Sequence, residues 1–446
     1  MSDAGGAGTR LFARHAALPD GMAEDVLFEV ADGRFSAVVA GAAPGDATQL
    51  PGVALPGFAN AHSHAFHRAI RGRTHTGGGS FWTWRERMYA VAAQLDPDSY
   101  LALARATYAE MALAGVTAVG EFHYLHHAPG GARYADPNAM GSALQQAAAD
   151  AGIRLTLLDT CYLAGGLAPG GHTPLDRVQL RFDDGSADGW AARVAGLPAA
   201  SDRLVVGAAV HSVRAVPREQ LATVAGFAVG RPLHVHLSEQ PAENAACLAY
   251  YGCTPTALLD DVGVLGPGTT AVHATHATPG DIATLGRTGT TVCLCPTTER
   301  DLADGIGPAR ALLDAGCALS LGSDQHAIVD LIEEARALEM HERLQSNQRG
   351  RFTPAQLLAA ATGHAGIGWP DAGRLAVGAR ADLVAVRLDS VRTAGSAADQ
   401  VLLSASAADV DTVLVDGRMI VRGGQHHLGD VARLLHDAIE PLWEDT

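Results

Sequence analysis

A chain of 446 residues, of which 48% are hydrophobic, can bury a large core, either as one α/β barrel or as about two to three smaller domains. A formal net charge of −16 disfavours nucleic acids and anionic membranes as partners. All 32 basic residues are arginines, which excludes a P-loop lysine, a Schiff-base lysine and a carbamylated lysine that bridges two metals.

The composition also bears on the cellular compartment. No apolar run reaches the roughly 18 residues of a membrane-spanning helix, so no such helix is expected. The first residues lack a basic segment followed by an apolar core, so no secretion signal is expected. The six cysteines form no CxxC pair and are scattered through apolar segments, which predicts reduced, buried thiols. We therefore expect a cytoplasmic protein.

Both ends of the chain carry short strand patterns without crossover helices. They lie in residues 1–56 and 375–446 and include "DVLFEVADGRFSAVVA", "GARADLVAVRLD" and "VDTVLVDGRMIVRGG". In the last of these, residues 413–415 and 419–421 bracket "DGR" as a hairpin. We predict that the two ends pair into one small β-sandwich domain, which a terminal helix follows.

Between these ends, over residues 57–374, short apolar runs alternate with longer helical patterns. This alternation is typical of repeated βα units, and eight of them predict a (β/α)₈ TIM-type barrel. The eight strands are predicted over residues 58–64, 116–124, 153–163, 204–214, 232–239, 269–277, 291–299 and 318–326.

Helix signals separate these strands. Residues 96–115 are predicted as a helix with Asp96 as N-cap, Pro97 at the first position and Gly115 as C-cap. Residues 136–152 carry the same signals. They predict a second helix with Asp136 as N-cap, Pro137 at the first position and Gly152 as C-cap.

Histidines and acids collect at the carboxyl ends of the predicted strands, which is where barrel enzymes carry their active sites. A single histidine at a strand end is more often a hydrogen-bonded structural residue. Chance is a poor explanation for so many of them at the same end of a barrel. They are His62 and His64 on strand one, His211 on strand four, His236 and Glu239 on strand five, His273 and His276 on strand six, and Asp324 on strand eight.

Four of these residues predict a metal site. The period of two along a strand directs His62 and His64 to the same side. Three imidazoles, from His62, His64 and His236, together with the carboxylate of Asp324 suit one divalent ion. Zn²⁺ fits this donor set best, with Fe²⁺ or Mn²⁺ as alternatives. Such an ion lowers the pKa of a bound water to about 7.

This pattern resembles the amidohydrolase superfamily in its mononuclear deaminase branch, with HxH on strand one, histidines on strands five and six, and "GSD" on strand eight. The absence of lysine agrees with that branch. In "HVHLSEQ", Glu239 follows His236 by three residues, which is the spacing of the proton-shuttling glutamate in those enzymes. The resemblance implies a metal-dependent hydrolase.

Longer segments are similar to the N-formimidoyl-L-glutamate deiminases, a family of histidine degradation. They are "HSHAFHRA", "SFWTWRERMY", "GEFHYLHH", "HSVRAV" and "VHATHA", and the similarity is strongest over residues 55–330. It implies hydrolysis of a small dicarboxylate, N-formimidoyl-L-glutamate, to N-formyl-L-glutamate and ammonia. A homodimer is expected.

The resemblance also implies site residues. Arg85 and Arg214 match positions that hold the two carboxylates, a task suited to guanidinium forks. Tyr124 and His211 match further substrate-contacting positions. His67 stands where some relatives have a glutamine that contacts the formimidoyl end, so its contact is left open.

In the implied mechanism, Asp324 accepts a proton from the nucleophilic water and Glu239 delivers a proton to the departing nitrogen. His273 orients and stabilises the tetrahedral centre, and His276 is a poorer match for that role. Gln325 stands where a serine is expected in some relatives.

The segment "HTGGGS" at residues 75–80 predicts a mobile loop over the site, against which Trp82 and Trp84 would pack.

Two other readings stay open at this point. The chain could be another mononuclear deaminase of the superfamily, acting on a purine, pterin or similar ring amidine, which would need no paired arginines. It could also be a scaffold protein with the amidohydrolase fold, although such proteins usually lose the ligands that this chain keeps.

Overall fold

The computed structural model describes residues 9–75 and 81–444. Its strands are β1 (Thr9–Leu18), β2 (Gly21–Ala31), β3 (Arg34–Val39), β4 (Thr48–Pro56), β5 (Phe58–Ser63), β6 (Val116–His123), β7 (Arg154–Cys161), β8 (Gly166–Ala168), β9 (Gly171–Thr173), β10 (Leu204–Val210), β11 (Leu233–Leu237), β12 (Thr269–His273), β13 (Thr291–Leu294), β14 (Leu319–Leu321), β15 (Leu383–Val386), β16 (Val410–Val415), β17 (Arg418–Arg422) and β18 (Gln425–His426).

The α-helices over the same residues are α1 (Phe81–Gln94), α2 (Pro97–Leu113), α3 (Ala139–Ala151), α4 (Ala187–Val194), α5 (Arg218–Phe227), α6 (Pro241–Tyr251), α7 (Pro255–Asp261), α8 (Pro279–Thr288), α9 (Pro296–Asp301), α10 (Ala309–Asp314), α11 (Leu331–Ser346), α12 (Pro354–Ala361) and α13 (Val431–Ile439). None of these helices is long and apolar enough to cross a membrane.

Eight parallel strands form the barrel, in the order β5-β6-β7-β10-β11-β12-β13-β14. A parallel bridge between Ser63 and Asp324 brings the end of β14 beside β5 and nearly closes the ring. Each strand falls within one of the eight predicted segments, so the predicted barrel is confirmed. Strands β6 and β7 are buried along their whole length, because side chains fill the barrel on one side and helices cover the other.

Helix α2 begins as predicted. The Asp96 side chain accepts a hydrogen bond from Ser99 N, and the Ser99 hydroxyl accepts one from Asp96 N, which forms a capping box before Pro97. The predicted end differs by one residue, because Ala114 is the C-cap and Gly115 follows it with a φ of 89°. A Cβ at Gly115 would also come within 2.9 Å of the Phe58 ring, so glycine serves both the turn and the packing.

Helix α3 begins later than predicted. Asp136 Oδ1 accepts a hydrogen bond from Asn138 N at 2.9 Å, so residues 136–138 form a turn and Asn138 is the N-cap. The helix ends at Gly152, which has a φ of 82° as a left-handed C-cap. The signals in this segment located the helix and its end, but not its first turn.

The two ends of the chain share a second sheet, in the order β18-β17-β16-β15-β4-β1-β2-β3. Strand β15 pairs with β4, which joins the C-terminal strands to the N-terminal ones. Edge strand β3 returns towards β15, because Phe35 N donates to Ala379 O and Ala381 N donates to Gly33 O. The sheet thus curls around its own apolar cluster, which includes Phe28, Phe35 and Leu383.

The predicted hairpin near the C-terminus is present, with a tighter turn than "DGR". Asp416 and Gly417 have φ values of 49° and 73°, and Arg418 already pairs with Val415 in the ladder. Two residues with positive φ form the turn that matches the twist of antiparallel strands.

A buried arginine links the terminal sheet to the barrel. Arg154 in β7 donates from Nη1 to Asp382 Oδ1 at 3.0 Å and to Asp416 Oδ1 at 3.1 Å, and its Nη2 also contacts Asp382. Its guanidinium carbon lies 5.2 Å from the centre of the Trp369 ring. Arg380 also binds Asp416, at 2.9 Å. The two arginines and two aspartates thus form one charged network between the sheet and the barrel.

Candidate active site

The four predicted metal ligands converge at the carboxyl end of the barrel. His62 Nε2 lies 3.1 Å from His236 Nε2 and 3.3 Å from Asp324 Oδ1. His64 Nε2 lies 3.4 Å from the same Asp324 oxygen. All four side chains are buried. Three strands position them. His62 lies in β5 and His64 follows it, His236 lies in β11, and Asp324 follows β14.

His62, His64 and Asp324 lie close enough to share one divalent ion, and His236 lies next to His62. His64 Nδ1 lies 2.9 Å from Phe122 O, which fixes the ring and leaves Nε2 for the ion.

The protonation of the histidines also suits a metal. Burial, and then His273, lowers the pKa of His62 well below its usual value. Burial, and then His62, lowers the pKa of His64 to about 3 and depresses that of His236. The three imidazoles are therefore neutral at pH 7, which is the form that binds a divalent ion. These residues, with Asp324, could hold one.

The backbone is unusual where the strands deliver these groups. Asp324 has a φ of 44° and His273 has a φ of 72°, and both positions favour glycine rather than the residues present. Strain of this kind persists only where the surrounding structure holds it, and it is frequent at functional sites. Both residues lie just beyond or at the end of their strands.

Glu239 and His273 stand beside the ligands. His273 Nε2 lies 3.9 Å from Glu239 Oε1 and 3.9 Å from Asp324 Oδ2, and its Nδ1 lies 3.4 Å from Glu299 Oε1. Burial on its own would lower the pKa of His273, but Glu239 and then Glu299 and Asp324 raise it to about 10. These carboxylates favour the protonated form of His273, which can stabilise negative charge that develops in the site.

All five predicted substrate-contacting residues line one cavity, together with His64, His236 and Asp324 of the predicted ligands. The cavity encloses about 1010 Å³ of empty space, part of it open to solvent. Aromatic side chains form much of its wall, among them Trp84, Tyr89, Tyr162 and Phe182. The predicted residues on its wall are His67, Arg85, Tyr124, His211, Arg214, Glu239, His273 and Asp324.

His67 and Tyr124 are joined in this wall. His67 Nε2 lies 2.9 Å from Tyr124 Oη, and Trp84 packs edge-on against the His67 ring. Burial lowers the pKa of His67 well below its usual value, so the ring is neutral. His67 lies near the metal ligands, with a ring centroid 4.6 Å from that of His64.

Arg214 has contacts that the sequence did not predict. Its Nη2 donates to Glu239 Oε2 at 3.0 Å, and its Nε lies 3.2 Å from Glu243 Oε2. Burial raises the pKa of Glu243, and Arg214 opposes that rise. Arg214 therefore lies on the cavity wall beside two carboxylates that also line it, one of which is the predicted proton shuttle.

Sequence reasoning missed several residues that support the site. Glu243, Glu299 and Gln179 are buried next to site residues. Glu299 closed the predicted strand seven, but that prediction is wrong beyond Leu294, because Pro296 starts helix α9 there. An acid at the carboxyl end of the predicted strand seven was the sequence signal that could have identified Glu299 as a site residue. Nothing local distinguishes Glu243 or Gln179 from ordinary helix and loop residues.

Two singled-out residues lie apart from the cavity. His276 Nε2 lies 2.9 Å from Asp304 O and does not line the cavity. Gln325 donates to Asp301 Oδ2 at 2.8 Å and lines a smaller, separate cavity. The predicted loop at 75–80 lies outside the described residues from 76 onward, as does the side chain of Trp82.

A second buried cluster has metal-like composition but other partners. His123, His126 and Asp159 come close enough to share an ion. Asp159, however, accepts hydrogen bonds from Trp190 Nε1 at 2.9 Å and from two nitrogens of Arg193 at 2.8 and 2.9 Å. The guanidinium already neutralises that carboxylate, so this cluster is a structural network.

Comparisons with known proteins agree with this geometry. The amidohydrolase family model matches residues 53–420, and the model described as formimidoylglutamate deiminase HutF, N-terminal domain, matches residues 9–50. A formimidoylglutamate deiminase of Pseudomonas aeruginosa is 39% identical over 440 residues, which cover 93% of this chain and 95% of the relative.

More distant relatives share the same fold. An 8-oxoguanine deaminase of the same organism is 32% identical over 396 residues, covering 86% of this chain and 85% of the relative. The crystal structure of an amidohydrolase from Brucella melitensis superposes with a TM-score of 0.88 at 33% identity, covering 97% of this chain and 99% of that one. The predicted resemblance is confirmed, and the chain belongs to the amidohydrolase family, among metal-dependent hydrolases that act on C–N bonds.

Proposed function

We propose that this chain hydrolyses N-formimidoyl-L-glutamate to N-formyl-L-glutamate and ammonia, a step of histidine degradation. The observation that carries the proposal is that Arg85 and Arg214 line the same cavity as the metal-ligand cluster. A substrate with two carboxylates and one formamidine group needs two cationic contacts and one reactive centre in a single site. The similarity to the deiminase of Pseudomonas aeruginosa supports the same substrate.

The roles of the residues follow from their positions. A divalent ion held by His62, His64, His236 and Asp324 would supply Lewis acidity, which makes water a nucleophile at neutral pH. Asp324 accepts a proton from that water through the carboxylate that also faces His273. His273 holds positive charge beside the formamidine carbon as the tetrahedral centre forms.

Glu239 takes the second proton of the water and carries it to the leaving nitrogen, while the first stays on Asp324. The group must depart as NH₃, since NH₂⁻ is far too basic, so an acid beside the reactive centre is required. Glu239 lines the cavity, and its two oxygens face Arg214 at 3.0 Å and His273 at 3.9 Å. These two cations hold the carboxylate in place between the substrate and the ligand cluster.

The two arginines contribute differently. Arg85 extends from α1 on the wall of the cavity and contacts Tyr89 and Gly165, so it acts on substrate binding. Arg214 also binds Glu239 and Glu243, so it couples a substrate carboxylate to the proton shuttle. We further propose that the ion is zinc, and that the enzyme acts in the cytoplasm as a homodimer.

A direct assay tests the proposal. Purified, metal-loaded protein is given N-formimidoyl-L-glutamate, guanine, 8-oxoguanine and adenosine side by side, and ammonia release is measured. The aromatic wall of the cavity favours the ring substrates as the second candidate class, because planar rings stack on such side chains. Turnover of formimidoylglutamate with negligible turnover of the rings supports the proposal. Turnover of a ring amidine alone overturns it.

A further inference from the structure

A buried glutamine lies behind the cavity wall that carries Arg85. Gln179 starts a short 3₁₀ turn after β9 and is almost fully buried, yet it does not line the cavity. Its Nε2 lies 2.8 Å from Tyr162 Oη, 3.0 Å from Tyr89 Oη and 3.1 Å from Gly165 O. Its Oε1 accepts a hydrogen bond from Asp176 N at 2.8 Å.

Arg85 uses two of the same acceptors. Its Nε donates to Tyr89 Oη at 2.7 Å, and its Nη2 donates to Gly165 O at 3.3 Å. One amide nitrogen therefore binds both of these acceptors from behind while the guanidinium binds them from the cavity side. Tyr89 is four residues along α1 from Arg85, whereas Gly165 belongs to the segment before β8, so Gln179 also ties two elements together.

We propose that Gln179 is a positioning residue that holds Arg85 in the orientation that binds a substrate carboxylate, acting through Tyr89 and Gly165. The identity of that carboxylate rests on the proposed function, but the presence of a carboxylate site does not. An arginine that is fixed before the ligand arrives loses less conformational freedom on binding, so its contact is stronger.

The directions of the hydrogen bonds around Arg85 leave a second donor, a tyrosine hydroxyl, beside the guanidinium. Guanidinium and amide N–H groups can only donate, so Tyr89 Oη accepts from Arg85 Nε, and the two N–H groups of Gln179 are shared among Tyr89 Oη, Tyr162 Oη and Gly165 O. Burial raises the pKa of Tyr89 far above its usual value, so its hydroxyl keeps its proton.

These nitrogens leave the two phenolic protons unused. If one tyrosine donates to the other, at least one O–H remains, on oxygens of residues that line the cavity. A guanidinium beside a hydroxyl donor is suited to a carboxylate. A ring amidine would offer these donors single ring nitrogens or carbonyl oxygens instead of the two oxygens of a carboxylate.

Two substitutions separate positioning from folding. Gln179→Glu keeps the side-chain length and an oxygen for Asp176 N, but it removes the N–H donors. Gln179→Met removes the donors without adding charge. Gln146→Glu is the matched control, because Gln146 is exposed on α3 and bonds only to Asp150, at 2.7 Å, among its side-chain contacts in the described residues. Thermal denaturation checks that all variants fold.

The first measurement is steady-state kinetics with N-formimidoyl-L-glutamate. Both Gln179 variants should raise KM by about 10-fold, as expected for one lost hydrogen bond of about 1.4 kcal/mol, while kcat changes little. In the Arg85→Met background, Gln179→Met should cause no further rise in KM. An unchanged KM, or an equal rise with and without Arg85, overturns the inference.

The second measurement is calorimetric binding of glutarate, a plain dicarboxylate, to the metal-loaded protein. The affinity should fall about 10-fold in both Gln179 variants and remain unchanged in Gln146→Glu. If the wild type binds glutarate in this Gln179-dependent way but does not turn over formimidoylglutamate, the proposed function fails and the inference stands. If the wild type binds no glutarate, or the Gln179 variants bind it as tightly as the wild type does, the inference fails. The turnover assay then decides the proposed function separately.

Discussion

Glu239 is held by two cations, Arg214 at 3.0 Å and His273 at 3.9 Å, and it reaches the cavity. Replacing this residue tests its proposed role as the proton shuttle. Glu239→Gln keeps the size and polarity of the side chain but cannot deliver the proton. We expect kcat to fall by about 10²–10⁴-fold, with metal content and substrate binding retained.

The control for this substitution is Glu219→Gln, an exposed glutamate on α5. Its kcat should match that of the wild type. If Glu239→Gln retained a near-wild-type kcat, the proton would have to reach the leaving nitrogen from another group.

The two arginines should differ in their kinetic signatures. Arg85→Met removes a charge-assisted contact worth about 1.5–3 kcal/mol, or roughly 10–150-fold in kcat/KM, and the loss should appear in KM. Arg214→Met should lower kcat as well, because Arg214 also binds Glu239 and Glu243. An amide analogue that lacks the matching carboxylate should be little affected by Arg85→Met.

Arg14→Met, at an exposed position in β1, serves as the control for loss of a positive charge. If the Arg85 and Arg214 variants lose activity equally on every analogue, the two arginines are structural rather than substrate-binding.

The ligand cluster predicts one divalent ion per chain. His236→Ala should lose the ion, since the site retains little affinity when one of its four ligands is removed. Elemental analysis of the purified protein measures this, with His436→Ala on the exposed face of α13 as the control. Two metals per active chain, or full activity after exhaustive chelation, would contradict the prediction.

At the scale of elements, the residue that follows β14 lies very close to β5. A Cβ at Gly322 would lie 2.7 Å from His62 Cβ and 2.8 Å from His62 O. Gly322→Ala must therefore displace the strand that carries His62 and His64. We expect a loss of about 1–3 kcal/mol in the free energy of unfolding, and weaker metal binding.

Urea denaturation and a metal titration measure these two effects. Gly226→Ala is the control, because Gly226 lies in α5 with open space around its Cβ position, and alanine favours a helix. Wild-type stability and metal affinity in Gly322→Ala would show that the two strands separate without cost.

How far the sequence predicted these elements depended on how local the signal was. The eight strands were predicted because short apolar runs alternate with longer helical patterns along residues 57–374. Helix α3 was placed too early because Asp136 forms a turn with Asn138 instead of a cap. The contacts of Gln179 and the pairing of Arg214 with Glu243 join loops and helices far apart in the chain, and no local pattern encodes them.

At the scale of the whole molecule, the contact of Arg154 with Asp382 joins the barrel to the terminal sheet. Burial on its own would raise the pKa of Asp382, but Arg154 lowers it below the usual value. A depressed folded-state pKa gives stability that is present above the unfolded pKa of about 3.9 and is lost as the pH falls through the folded value. We expect the free energy of unfolding to fall steeply below about pH 4.

Asp382→Asn tests this contact directly. Breaking a buried ion pair by removing one partner costs about 3–5 kcal/mol, so the variant should be much less stable at pH 7. Its further loss of stability in acid should be smaller than that of the wild type. Asp389→Asn, at an exposed position, should leave both the midpoint of urea denaturation and its pH dependence unchanged. Equal acid profiles for wild type and Asp382→Asn would contradict the assignment.

The bridge between Ser63 and Asp324 has a consequence for how the enzyme matures. Its two residues flank or supply metal ligands, yet about 260 residues of chain separate them, so the ligand set is complete only after the last barrel strand has docked on the first. Contacts at such long sequence separation form slowly. On the ribosome, a nascent chain that ends before residue 324 would hold at most three of the four ligands. Capture of the ion should therefore report ring closure, and pulse-labelled chains should acquire it only after residue 324 has been synthesised.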